Sequence, residues 1–103
     1  SKKNLFFFFS FYSGHMELVN NLLANHARVD VFDLEGRSAL HLAAEKGYIE
    51  VCDALLTNKA FINSKSRVGR TALHLAAMNG YADLVRLENF CRYSKKHFNY
   101  ILN

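Results

Sequence analysis

The sequence predicts an all-α fold built as a short solenoid, in which antiparallel pairs of short helices stack side by side and β-hairpin-like fingers join one pair to the next. Three observations carry this expectation. A shift of 33 residues lays Gly36–Tyr48 (GRSALHLAAEKGY) over Gly69–Tyr81 (GRTALHLAAMNGY) with ten of thirteen positions identical, and a fixed period of this length marks stacked supersecondary units. Helix-start and helix-stop residues bracket the same segments in each copy. Between them, apolar residues recur at helical spacing.

Taken in chain order, Gly14 aligns with Gly47 and Gly80, and the residues after it, from about His15 to Ala27, carry Leu18, Val19, Leu22 and Leu23. That i, i+1, i+4, i+5 stripe marks one apolar helix face. Arg28 to Arg37 holds β-branched residues and closes at Gly36, the pattern of an extended finger with a tight turn. Ser38 then stands before a run of good helix formers, where its hydroxyl can accept from a free first-turn N–H. Gly47 follows about two turns later and stops the helix in a left-handed conformation without Cβ strain. A second helix starts near Ile49, with Val51, Cys52, Leu55 and Leu56 repeating the apolar stripe. The next unit rewrites these signals: a finger over Phe61 to Arg70 closing at Gly69, Thr71 as the cap, Gly80 as the stop, and a second helix near Ala82.

The motifs Ser38-Ala39-Leu40-His41-Leu42-Ala43 and Thr71-Ala72-Leu73-His74-Leu75-Ala76 resemble the T-P-L-H-x-A signature that opens the first helix of an ankyrin repeat. The resemblance implies that the Ser/Thr and His of each motif stitch the helix start and tie adjacent repeats together. Ser38, His41, Gly47, Thr71, His74 and Gly80 are therefore expected to be structural.

In this frame residues 14–27 are the second helix of a partial repeat, 28–60 a complete repeat, and 61–87 a second one that diverges at its C-terminal end. Residues 1–13 and 88–103 break the pattern: Phe8 fills the slot of the motif His, and Glu88-Asn89 replaces an expected Leu-Leu. Charge divides at the same places. Residues 14–86 contain eight basic and eight acidic residues, so the whole formal excess of +4 lies in the ends. A basic partner-seeking surface on the repeats is thus not what the pI reports. Two readings of the ends stand: non-repeat flanks joined to a piece of a longer protein, or adapted caps, since Leu84, Leu87, Cys91, Phe98 and Leu102 fall near helical spacing.

Chemistry finds little purchase. Ser38 with His41 and Thr71 with His74 set a hydroxyl three residues before an imidazole, but no acidic orienting residue or oxyanion loop accompanies either pair. No catalytic residue is expected. Equivalent histidines of stacked units should lie about 8–10 Å apart, too far to share a zinc whose ligands each come within about 2.1 Å, and no metal site is expected. Cys52 and Cys91, 39 positions apart, form neither a disulfide framework nor a short-spaced metal pair, which favours a reducing compartment. The glycines match no phosphate-binding loop, so no cofactor or small-molecule substrate is implied. Lys2-Lys3 and Lys95-Lys96 are too short for a nucleic-acid footprint. The apolar run Leu5–Tyr12 is too short to span a bilayer, and no small-residue cleavage site follows it.

What remains is protein recognition, through side chains that the fold leaves free on finger tips and on the exposed side of the first helix. Those are the positions that change between repeats: Phe32, Leu34 and Glu35 against Lys65, Arg67 and Val68, and Glu45-Lys46 against Met78-Asn79. Phe32 and Leu34 suit an interface, or else pack on the neighbouring finger. Arg37 and Arg70 are identical and are read as structural.

Ala44–Tyr81 further resembles a stretch of the long cytoplasmic ankyrin array of the TRPN (NOMPC) mechanosensitive channels. This implies a force-transmitting module of a parent channel, on the cytoplasmic side, with neighbouring repeats and the cytoskeleton as partners and the membrane reached only through that parent. A soluble adaptor for a single protein partner is the alternative.

Overall fold

The computed structural model describes residues 10–11 and 13–86. From Met16 on, the described residues form, in order, α1 (Met16–Ala24), α2 (Ala39–Lys46), α3 (Ile49–Thr57), α4 (Ala72–Met78) and α5 (Ala82–Val85). The fold is all-α, and no strand occurs among the described residues. α2 pairs with α3 and α4 with α5, while the inner helices α2 and α4 pack on each other and α1 packs on α3. The stripes predicted for the outer helices face the core, with Val19, Leu23, Val51, Cys52, Leu55 and Leu56 all buried. Leu40 and Leu73, one period apart, are each 1 % exposed and fill the same place in successive layers.

The starts of the inner helices α2 and α4 obey the cap chemistry. Ser38 Oγ accepts from the His41 N–H at 3.3 Å, and Thr71 Oγ1 accepts from the His74 N–H at 3.2 Å. In both, the imidazole takes the place that a glutamate usually holds in a capping box. Both fingers are closed by backbone bonds rather than by a strand ladder: Asp33 N–H donates to Arg37 O at 2.9 Å and Ser66 N–H to Arg70 O at 2.8 Å.

Gly47 shows why this position excludes a side chain. Its φ is +75°, and a Cβ there would come within 3.0 Å of the Tyr81 ring of the next unit. The tight turn and the close approach of the next repeat both require glycine. Gly14 meets Tyr48 in the same way, one period earlier.

Two residues contradict local preference. His26 and Lys59, also one period apart, end the outer helices with φ of 60° and 68°, where a side chain costs about 1 kcal/mol or more relative to glycine. Lys59 is exposed, so Lys59→Gly should raise stability by about 0.5–1 kcal/mol in urea unfolding, relief of strain outweighing the added entropy of the unfolded chain.

The flank readings concern residues of which 1–9, 12 and 87–103 lie outside the described ones, including Leu87, Cys91, Phe98 and Leu102. Ser10 and Phe11 are described: both are helical and fully buried, with Phe11 part of the core cluster.

Candidate protein-binding surface

The surface is built outward from His41, which is 1 % exposed. Its Nδ1 accepts the Ser38 N–H at 3.1 Å and lies 2.9 Å from Ser38 Oγ. With Nδ1 accepting, the ring proton sits on Nε2 and is donated to the Arg70 carbonyl at 2.8 Å. One imidazole therefore caps its own helix and binds the finger of the next repeat. At the finger tips, Arg67 N–H donates to Glu35 O at 2.9 Å, and the Arg67 guanidinium donates to Leu34 O at 3.2 Å. These bonds set the two fingers in register over the inner helices.

Burial holds the His41 pKa below its ordinary value of 6.5, outweighing the hydrogen bond that its ring donates to the Arg70 carbonyl. The folded state thus holds the neutral ring, and the unfolded state takes up the proton first. This contribution to stability is complete above pH of about 6.5 and is lost as pH falls below it. A thermal melt should accordingly lie lower at about pH 5.5 than at about pH 7.5, with the gap narrowed in His41→Gln. Cys52 has no such role: it is buried in α3, and burial pushes its thiol up to about 12, far from the thiolate that reactivity needs.

The concave side of the two fingers and inner helices encloses a groove of about 670 Å³. It is lined by Glu35 and Arg37 of the first finger, Glu45 of α2, Ser66, Arg67, Val68 and Arg70 of the second finger, and Leu75 of α4. Of the residues that change between repeats, Glu35, Glu45, Arg67 and Val68 meet here. Phe32 and Leu34 stand on the first finger and Lys65 on the second, while Lys46, Met78 and Asn79 lie at the ends of α2 and α4, outside the groove lining. Leu34 is 92 % exposed, so its side chain does not pack on the adjacent finger; Phe32 is 49 % exposed.

Four lining residues, Arg37, Ser66, Arg70 and Leu75, are not among those predicted to bind. Ser66 differs from its equivalent Asp33, and the comparison of repeats could have found it. Arg37, Arg70 and Leu75 are identical to their equivalents, so variability alone passes over them. Arg37 is a structural arginine: its Nε lies 2.9 Å from Asp33 and 3.4 Å from Glu35, and its Nη1 3.9 Å from Glu45. Asp33 also accepts the Glu35 and Arg37 N–H groups at 2.9 and 2.8 Å. Burial works to raise the Asp33 pKa, but these bonds and the Arg37 guanidinium hold it below the usual carboxylate value.

Among the described residues no group of histidine, cysteine and carboxylate side chains is placed to hold a metal ion, and no helix is long and apolar enough to cross a membrane. Ser38 and Thr71 spend their hydroxyls on caps. The arrangement offers side chains for contact around a groove whose rear is fixed by hydrogen bonds.

No curated protein matches the chain at a significant level. A family model described as ankyrin repeats, in three copies, matches residues 7–96. That span takes in the two T-x-L-H-x-A motifs, the His41 bond to the next finger and the groove, and the chain belongs to the ankyrin-repeat family.

Proposed function

We propose that the chain is a non-catalytic protein-interaction module, with residues 28–60 and 61–87 as its repeats and the groove between their fingers as its binding surface. One observation carries this reading. Ser38, His41 and Thr71 are buried in helix caps, and His41 also binds the next finger, while Glu35, Glu45, Arg67 and Val68, which differ between repeats, line one groove. Ankyrin repeats generally serve protein–protein binding, which agrees with that division.

The test is partner retention. A protein held by the wild-type chain should be lost from Glu35→Ala/Arg67→Ala/Leu75→Ala and kept by Glu50→Ala, on the exposed side of α3. Equal retention by the groove variant would place binding elsewhere.

A finer reading follows from the sequence of Ala44–Tyr81. Its resemblance to the TRPN array supports a parent channel in which this segment transmits force on the cytoplasmic side toward a cytoskeletal partner. A free adaptor with one partner is equally consistent with the family. Extended gene sequence separates them: further 33-residue repeats followed by six hydrophobic spans belong to the channel, and a nearby stop codon to the adaptor.

A further inference from the structure

The two equivalent arginines of the groove have opposite surroundings. Arg37 is held by Asp33, Glu35 and Glu45. One period on, the residues that stand for those three carboxylates beside Arg70 are Ser66, Val68 and Met78. Every anion of the first site has been replaced by a neutral side chain, yet the arginine remains. Residues 54–82 hold Lys59, Lys65, Arg67 and Arg70 and no Asp or Glu at all. Among the described residues Arg70 makes no ion pair, and Ser66 Oγ spends its bond on the Arg70 N–H at 3.3 Å.

The Arg70 backbone is fixed, since its carbonyl accepts from His41 at 2.8 Å, so its side chain is presented from an anchored point. Beside it in the lining are Arg67, the exposed Val68 and the half-buried Leu75. A guanidinium carried on an anchored backbone and bordered by apolar side chains fits a carboxylate carried next to an apolar side chain, because guanidinium pairs with carboxylate through two parallel hydrogen bonds. The same lining carries Glu35 and Glu45, which would repel a nucleic-acid backbone crossing the groove.

We propose that Arg70, with Arg67, is an anion-recognition point of the groove, and that the segment it takes is a peptide bearing an aspartate or glutamate next to an apolar residue. This rests on the groove being the binding surface.

A randomised decapeptide display library panned on the 103-residue chain tests it, with recovered peptides measured by fluorescence anisotropy against the wild type, Arg70→Gln and Leu75→Ala. The expected result is enrichment of an acidic residue beside an apolar one, with affinity falling about fivefold in Arg70→Gln, falling also with added salt, and with the melting temperature of Arg70→Gln unchanged. Peptides lost with Leu75→Ala but indifferent to Arg70→Gln would overturn the carboxylate inference and leave the groove standing. Peptides indifferent to both, or no enrichment at all, would overturn both. Tighter binding of a ten-nucleotide thymidine oligonucleotide than of any acidic peptide would also overturn it, by making the basic finger a general polyanion surface.

Discussion

His41→Ala should destabilise the chain by about 3 kcal/mol, because the substitution strands several buried polar groups at once. The Ser38 N–H and hydroxyl lose the acceptor at Nδ1, and the Arg70 carbonyl loses the donor at Nε2. Each buried group left unpaired costs about 1–3 kcal/mol, and the lost ring adds a cavity. For a domain this small, such a loss lowers the melting temperature by about 10–20 °C, which circular dichroism reads directly. The consequence reaches the groove, since the His41 bond joins the two Arg67 bonds in holding the second finger against the first repeat. A melt unchanged in His41→Ala would mean that this bond does not fasten the repeats.

Leu40→Ala should cost a similar amount, about 2–5 kcal/mol, for a different reason. Leu40 is 1 % exposed within the α2 layer of the core, and truncation there removes apolar contacts that close-packed neighbours cannot restore. Leu34→Ala supplies the contrast six residues earlier. At 92 % exposed, Leu34 has almost no burial to lose, and its removal should leave stability within about 0.5 kcal/mol. Together the two variants separate residues that build the stack from residues it displays.

Much of the stack was legible in the sequence because a repeat states each signal more than once. Ser38 and Thr71 announce helix starts by their cap chemistry, and Gly47 announces a stop by its left-handed conformation; these are local rules that need no neighbour. The outer-helix stripes are local as well. The binding surface was only half legible, since comparison of repeats finds residues that differ and passes over those that coincide. Arg37 and Arg70 coincide in identity and differ in circumstance: one is enclosed by three carboxylates, and the other faces the groove without them. That difference lies in Asp33, Glu35 and Glu45 against Ser66, Val68 and Met78, and Glu45 reaches Arg37 only once the finger has folded back over the inner helix. The left-handed backbone at His26 and Lys59 was illegible for the opposite reason, because lysine does not signal that conformation and histidine signals it only weakly beside glycine.

If the repeats are one cooperative stack, the groove exists only while both are folded. Urea unfolding of the wild type and of Leu40→Ala, followed by helical circular dichroism, tests it most directly. A single transition is expected for each, of equal slope, with the whole curve of Leu40→Ala moved to lower urea, although Leu40 belongs to the first repeat. A two-step curve, in which the second repeat's helices unfold at their wild-type midpoint while the first is already lost, would contradict it.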